Sequence, residues 1–193
     1  SVANVDEDAV TMAVEAAMDC FRFADRKDVT SLYFASTTAP YAEKAHSALI
    51  SVACDLDNRS VFTSDFAQCT RAGTNALKVA CDAVAADNRQ TSLVVASDIR
   101  KAFPKSPQEL NLGDAAAALL IGSGDVLATI DGAISLNDEI VDIWRNAGDS
   151  YISVGEGRFV TGEGYMRVME EIISAALAKY SLQPKDLAKV VLP

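Results

Sequence analysis

Three short strand-like segments alternate with three helical segments over the first hundred residues of this 193-residue chain. The strand-like segments are residues 31–36, 59–66 and 91–96, and the helical segments are residues 6–21, with Asp6 as N-cap, 42–53 and 70–86. Parallel strands need a crossover connection, which is normally a helix. The alternation therefore predicts an α/β fold with helices on both faces of a mainly parallel sheet.

The pattern changes after Gly113. Residues 114–122 and 126–136 are strand-like and are separated by Ser123-Gly124-Asp125, which predicts an antiparallel addition at one edge of the sheet. A glycine-rich connection (137–164), a helix (165–179) and a last strand (190–192) follow. Since no strand precedes the first helix and the last strand is not continued, we expect residues 1–193 to be part of a larger fold, or to pair with another chain.

Charge and composition exclude several classes of protein. The chain has 17 basic and 27 acidic side chains, a net charge of −10, and no run of Lys and Arg, so we predict no nucleic-acid partner. No apolar stretch approaches the roughly 20 residues needed to cross a bilayer. We expect a soluble, cytoplasmic protein with no membrane partner.

The segment 64–77, SDFAQCTRAGTNAL, contains the most informative cysteine. Cys69 falls between a predicted strand and the first turn of a predicted buried helix, where free backbone N–H groups and the helix dipole favour a thiolate. Gly73 costs about 1 kcal/mol relative to alanine inside a helix, so we expect another backbone or a ligand to approach it closely. These features indicate that Cys69 is a nucleophile.

The alternative is that Cys69 is a small buried hydrophobe, as free cysteines commonly are. Cys20, Cys54 and Cys81 keep that interpretation because each falls within an apolar helix period. No C-x-x-C spacing is present, so all four thiols are predicted to be reduced. A chain with the single histidine His46 cannot build a multi-histidine metal site, and we predict no metal.

Four segments in order resemble the thiolase superfamily, in the 3-hydroxy-3-methylglutaryl-CoA synthase branch close to ketoacyl-acyl-carrier-protein synthase III. Residues 69–77 are similar to the family's active-cysteine segment, and 113–118 (GDAAAA) to its Gly-Asp-Gly/Ala-Ala-Ala strand. Residues 142–145 (DIWR), and 157–162 (GRFVTG) followed by Tyr165, resemble its Phe-Trp-Arg and Gly-Arg-Phe blocks. The resemblance implies the N-terminal half of a thiolase-like fold, without its first strand and its C-terminal half.

Two departures from the family pattern stand out. The synthases carry a glutamate acid/base after the second strand, and Thr37 stands at its place. The family's catalytic histidine is expected at or just beyond Pro193, so the chain either lacks it or ends before it. His46 is interpreted as an ordinary helical residue, with a role as the base for Cys69 as the alternative.

The resemblance implies an acyltransferase that carries an acyl group from a coenzyme A thioester on Cys69 and passes it to CoA or to a carbon nucleophile. Trp144, Arg145, Phe159 and Gly162 are candidate CoA contacts, with a surface loop around one buried indole as the alternative for Trp144 and Arg145. No bound cofactor is expected beyond the CoA thioester substrate. Implied partners are a second copy or a second thiolase-like chain, and a small zinc-ribbon and OB-fold protein that binds acyl-CoA. A catalytically silent thiolase-like subunit, or a generic α/β domain, remains an alternative.

Overall fold

The computed structural model describes residues 2–56 and 59–192. They divide into two units, one up to Thr129 and one from Ile130 onward. The first unit contains, in chain order, α1 (Ala9–Cys20), β1 (Ser31–Ala35), α2 (His46–Ala53), β2 (Phe62–Phe66), α3 (Ala72–Ala86), β3 (Ser92–Asp98), α4 (Pro107–Asn111) and β4 (Ala115–Ile121). The second contains β5 (Ile143–Trp144), β6 (Ser153–Val154), α5 (Gly157–Phe159), a π-helical segment (Val160–Met166) and α6 (Arg167–Tyr180).

The sheet of the first unit has the strand order β2-β1-β3-β4. Strand β1 pairs in parallel with both β2 and β3, and β4 pairs antiparallel with β3 along its full length, from Ala115 opposite Asp98 to Ile121 opposite Ser92. The predicted mainly parallel sheet with an antiparallel edge strand is confirmed.

Helices cover both faces of this sheet, as predicted, because alternate residues of its central strands point to opposite sides. Leu32 and Phe34 of β1 belong to a buried cluster that includes residues of α1 and α2. The cluster on the other face joins the sheet to α3 and contains Tyr33, Ala35, Ala72, Ala76, Ala80 and Val94. Alanine at every fourth position of α3 leaves no bulky side chain between the helix and the strands, so α3 packs closely on the sheet.

Helix α1 begins two residues later than the sequence indicates, and its N-cap is Asp8. The Asp8 carboxylate accepts hydrogen bonds from the backbone N–H groups of Val10 at 2.8 Å and Thr11 at 2.9 Å. The Thr11 hydroxyl in turn accepts the Asp8 N–H at 2.9 Å, which completes a capping box. The prediction of Asp6 as the N-cap was wrong. Asp6 and Asp8 both precede the apolar residues of the helix, and the sequence alone does not distinguish them. The reciprocal hydrogen bonds with Thr11 identify Asp8 as the cap.

Two predicted strands are absent from the described residues. Residues 126–136 and 190–192 are all described, and none of them is in a strand. Val126, Leu127 and Val191 have the β-prone apolar character that suggested strands, but their side chains are exposed. A strand forms only where a neighbouring strand completes its hydrogen bonds, and these two segments pair with no strand of the described residues.

The second unit contains one short antiparallel pair, in which Ile143 of β5 stands opposite Val154 of β6. The glycine-rich connection predicted for 137–164 thus holds two short strands, and the helix predicted for 165–179 is α6. The π-helical segment runs directly into α6. Across the described ranges of the chain, no helix is both long enough and apolar enough to span a membrane.

Candidate active site

Ser36, Cys69 and Asp98 meet at one edge of the sheet. The last residues of β1 and β2 stand opposite each other, and Ala96 of β3 is level with them. The three polar residues therefore lie at the carboxyl ends of neighbouring parallel strands. Ligands of open α/β sheets bind in the crevice at this edge.

These three residues line a cavity of about 310 Å³ in the first unit. That volume is at the lower end of the range for small-molecule sites. The rest of its lining is mainly small or apolar and includes Ala35, Gly73, Leu77, Val94, Ala96 and Leu119. The site therefore combines the Cys69 thiol, the Asp98 carboxylate and the Ser36 hydroxyl with a largely apolar interior.

Cys69 lies in the turn that leads into α3, rather than in the first helical turn itself. Its side chain is half-buried, and its Sγ accepts a hydrogen bond from the backbone N–H of Arg71 at 3.3 Å. The Cys69 carbonyl accepts the N–H of Ala72, the first residue of α3, at 2.9 Å. Gln68 has a φ of 63°, in the left-handed region that non-glycine residues seldom adopt. A sharp turn thus presents the thiol to the cavity beside a backbone donor.

Gly73 has the close neighbour that the sequence predicts. A Cβ built at this position would lie 3.3 Å from the Cβ of Ala96, so α3 approaches β3 here more tightly than most side chains allow. Both residues line the cavity that contains Cys69. The missing side chain therefore brings the start of α3 against the sheet and leaves space next to the thiol.

Thr37 belongs to a turn that the Asp98 carboxylate holds. Oδ1 of Asp98 accepts the Thr37 N–H at 2.7 Å and the Thr37 hydroxyl at 3.0 Å. It also accepts the hydroxyls of Ser36 at 3.1 Å and Thr38 at 2.9 Å. Ser36 and Asp98 line the cavity, whereas the Thr37 side chain is directed to the carboxylate.

His46 is buried at the start of α2, and it does not line the cavity. Its Nδ1 lies 2.8 Å from Oδ2 of Asp65, and its Nε2 accepts the backbone N–H of Tyr41 at 3.2 Å. Since Nε2 accepts, Nδ1 carries the proton and donates it to Asp65. Both ring nitrogens are thus occupied by structural partners, which supports the interpretation of His46 as a residue of the fold rather than the base for Cys69.

Asp65 has a pKa below its ordinary range. Burial alone raises the pKa of this carboxyl group, but hydrogen bonds from Ser47 and His46 stabilise the charged form and outweigh burial. The backbone N–H of His46 donates to Oδ2 at 2.7 Å, and that of Ser47 donates to Oδ1 at 2.8 Å. Asp65 therefore caps the start of α2 from the neighbouring strand β2.

The other cysteines lie in helices or next to them, as the sequence indicates. Cys54 is buried, and burial raises the pKa of its thiol to about 11. Burial also raises the pKa of Cys20. Cys81 is half-buried within α3. Neither Cys20, Cys54 nor Cys81 lines the cavity that contains Cys69.

The remaining candidate residues lie in the second unit. Trp144 is in β5 with 41% of its surface exposed, and Phe159 ends α5 with 54% exposed. Arg145 donates from Nη1 to the carbonyl of Asp149 at 3.2 Å. Gly162 lies in the π-helical segment, and apart from its own helical backbone and chain neighbours no described atom lies within 4 Å of the position that a Cβ would take. The place predicted for a catalytic histidine, at or beyond Pro193, lies outside the described residues.

Sequence reasoning did not identify Asp98 as a site residue. Asp98 ends β3, the third strand of the parallel set. A polar residue at the carboxyl end of a parallel strand is a signal for a site in an α/β fold. The sequence contained that signal. It could not show that the Asp98 carboxylate points toward the Ser36–Thr38 turn.

Solved structures with the same fold are thiolase-like enzymes. A crystal structure of HMG-CoA synthase complexed with CoA superposes with a TM-score of 0.85, covering 97% of this chain and 48% of that chain at 22% identity. OleA of Xanthomonas campestris, solved with lauric acid and lauroyl-CoA, superposes with a TM-score of 0.82, covering 97% of this chain and 62% of that chain at 17% identity. The fold, with a cysteine at the carboxyl edge of its sheet, is that of a thiolase-like protein.

Curated protein sequences match the chain at higher identity than these solved structures do. It is 34% identical over 99% of its length to the hydroxymethylglutaryl-CoA synthase of Pyrobaculum arsenaticum, and 32% identical over 96% to that of Methanocella arvoryzae. The chain spans 55% and 53% of these two proteins, about half their length. No protein-family model matches it. The chain is homologous to about half of hydroxymethylglutaryl-CoA synthase and has a thiolase-like fold.

Proposed function

We propose that this chain forms the cysteine-bearing part of an acyltransferase that acts on acyl-CoA thioesters. The observation that carries the proposal is the position of the Cys69 Sγ. It lies in a largely apolar cavity at the carboxyl edge of the sheet and accepts a backbone N–H from Arg71 at 3.3 Å. The first N–H groups of a helix have no partner within the helix and are available to a group that reacts beside them. The homologous synthases and the CoA-bound structure support the same assignment.

In the proposed reaction, the Cys69 thiolate attacks the carbonyl carbon of the acyl-CoA thioester. A bond forms between Sγ and that carbon, and the carbonyl π electrons move to oxygen. The oxygen electron pair then re-forms the carbonyl as the C–S bond to CoA breaks. CoA leaves as a thiolate and takes from solvent the proton that the Cys69 thiol had released. Backbone N–H groups around the turn before α3 would hold the oxyanion, and such donors are worth about 2.7–4 kcal/mol each in acyl transfer. The acyl group then passes to CoA or to a carbon nucleophile.

The CoA contacts belong to the proposal as well. The exposed faces of Trp144 and Phe159 offer stacking surfaces for adenine, and the Arg145 guanidinium is suited to a phosphate. Gly162 provides backbone without a side chain in a π-helical segment, a distortion that often occurs at functional sites. Trp144→Ala and Arg145→Ala should each raise the acyl-CoA concentration needed for half-maximal acylation without changing the maximal extent.

A mass measurement on the intact protein tests the nucleophile. After incubation with acetyl-CoA or a longer acyl-CoA, the wild-type protein should gain the mass of one acyl group, and Cys69→Ser should not. Cys81→Ser is the matched control, because Cys81 is also half-buried but lies inside α3, and it should acylate normally. An adduct that persists in Cys69→Ser contradicts the proposal.

A catalytically silent thiolase-like subunit is the second candidate, because Thr37 stands where the synthases carry their glutamate and its hydroxyl is bonded to Asp98. The rate at which iodoacetamide alkylates Cys69 at pH 6.5 distinguishes the acyltransferase from the silent subunit. An active nucleophile should react at least tenfold faster than a model thiol, whereas a silent one should react no faster.

The proposed partners are a second copy or a second thiolase-like chain, and a small zinc-ribbon and OB-fold protein that binds acyl-CoA. We also propose a cytoplasmic location, which agrees with four free cysteines in the described part of the chain. Size-exclusion chromatography with light scattering tests self-association, and co-purification with the small protein tests the other pairing.

A further inference from the structure

We propose that Gln68 is a positioning residue, whose left-handed backbone conformation places the Cys69 thiol for acyl transfer. This inference rests on the proposed function and adds to it a residue that acts through Cys69 without contacting substrate. Gln68 has a φ of 63°, its side chain is exposed and it does not line the cavity. Its contribution therefore lies in its backbone.

The left-handed conformation of Gln68 has no explanation in the end of a helix. In the described part of the chain, the non-glycine residues with a positive φ are Asp55, Gln68, Lys105 and Ser181. Asp55 and Ser181 lie at the carboxyl ends of α2 and α6, where a left-handed residue commonly ends a helix. Gln68 instead lies between the end of β2 and the start of α3. Such strain persists where the surrounding structure imposes it, and strained residues cluster at active sites.

The backbone is fixed by hydrogen bonds on both sides of Gln68. The Phe66 carbonyl, at the end of β2, accepts the Ser36 N–H at 3.0 Å, and the Cys69 carbonyl accepts the Ala72 N–H at 2.9 Å. Rotation about the N–Cα bond of Gln68 moves everything that follows it relative to β2. With an ordinary negative φ at Gln68, Cys69 keeps its place only if one of these two hydrogen bonds breaks.

The path of this turn decides what the Cys69 sulfur meets. Sγ accepts the Arg71 N–H at 3.3 Å, and Cys69 lines the cavity together with Thr70 and Gly73. A nucleophile held in the orientation of attack avoids much of the entropy cost of reaction, and a displacement of about 1 Å can lower the rate about 100-fold. A residue that fixes the turn therefore acts on the rate of acylation rather than on the binding of acyl-CoA.

Substitutions of Gln68 separate its backbone from its side chain. Glycine adopts a positive φ at no steric cost, whereas a β-branched residue with a positive φ is a genuine outlier. Gln68→Gly therefore keeps the turn and removes the side chain, and Gln68→Val opposes the turn.

The rate of acyl-adduct formation, followed by intact-protein mass over a range of acyl-CoA concentrations, tests the inference. Gln68→Val should lower the maximal rate at least tenfold and leave the half-saturating concentration within twofold of wild type. Gln68→Gly should acylate within threefold of the wild-type maximal rate. Lys105→Val is the matched control, because Lys105 is exposed, has a φ of 65° and lies outside the cavity lining. It should lower the melting temperature about as much as Gln68→Val does but acylate like wild type.

Two results overturn the inference. One is a maximal rate in Gln68→Val within twofold of wild type, and the other is a Gln68→Gly protein that acylates as slowly as Gln68→Val. If Gln68→Val does not fold, Gln68→Ala replaces it, since alanine opposes a positive φ less strongly. Gln68→Ala should then acylate at least threefold more slowly than Gln68→Gly, and equal rates overturn the inference.

Alkylation of Cys69 by iodoacetamide, read by peptide mapping, tests the position of the thiol without acyl-CoA. Gln68→Val should be alkylated at Cys69 at least threefold more slowly than wild type and Gln68→Gly, because its sulfur has left the Arg71 N–H. Equal rates in the three proteins contradict the role of Gln68. If the wild-type protein forms no acyl adduct, the proposed acyl transfer fails, and the alkylation rates alone decide whether Gln68 positions the thiol.

Discussion

His46 donates from Nδ1 to Oδ2 of Asp65 at 2.8 Å, and the two residues join the start of α2 to strand β2. Asp65 also accepts the backbone N–H groups of His46 and Ser47. One carboxylate thus satisfies three donors at the start of a helix that has no capping side chain of its own.

Asp65→Asn should lower the free energy of unfolding by about 1–3 kcal/mol at pH 7, because the amide places N–H groups against donors and loses the charge. The pKa of Asp65 is lowered in the folded state by its hydrogen bonds, so the unfolded chain takes up the proton at a higher pH. Its contribution is therefore complete above about pH 5 and is lost as the pH falls through about 4 and below.

Urea unfolding of both proteins at pH 7 and at pH 3 measures this difference. Asp82→Asn is the control, since Asp82 pairs with Lys78 on the exposed face of α3 and should contribute less than about 1 kcal/mol. A stability gap between wild type and Asp65→Asn that stays constant from pH 7 to pH 3 contradicts the assignment.

Asp8→Ala should destabilise the protein by about 0.5–2 kcal/mol, because it removes the side-chain acceptor for the Val10 and Thr11 N–H groups at the start of α1. Thermal unfolding followed by circular dichroism measures the change. Asp6→Ala removes a carboxylate two residues earlier that is not the cap, and it should change stability by less than about 0.5 kcal/mol. Equal losses from the two variants would mean that the cap is misassigned.

Gly73→Val should destabilise the protein by about 1–3 kcal/mol, because its Cβ would already crowd Ala96 at 3.3 Å and two more methyl groups would be added. It should also reduce acylation of Cys69, since Gly73 lines the same cavity. Ala85→Val, at an exposed position of the same helix, controls for the β-branched side chain. Chemical denaturation and the acyl-adduct assay read the two effects, and a Gly73→Val protein as stable and as active as the control refutes the close packing.

Cys54 should be alkylated far more slowly than Cys69 in the folded protein at pH 8. Burial raises the pKa of Cys54 to about 11, so only about one thiol in a thousand is ionised there, and the side chain is also shielded from solvent. Peptide mapping after a short exposure to iodoacetamide should find the label on Cys69 and not on Cys54. In a denaturant the two cysteines should become equally reactive, and similar labelling in the folded state contradicts the structure.

The predicted strands that form and those that do not differ in their partners, not in their local sequence. Residues 31–36 and 91–96 became β1 and β3 because each lies beside a strand in parallel register. Residues 126–136 are as apolar, but none of them pairs in a sheet. Hydrogen bonding between strands is a long-range property, and a single segment does not contain it.

The sequence alone determined the alternation of helices and strands, the predicted place of Cys69 before a buried helix and the need for close packing at Gly73, because side-chain periodicity and backbone conformation are local properties. Only the tertiary structure decided that Asp98 reaches the Thr37 turn, that His46 is bonded to Asp65 and Tyr41, and that Asp8 caps α1. The first two relationships join residues that are 61 and 19 positions apart. Such contacts exist only once the sheet has brought the ends of its strands together.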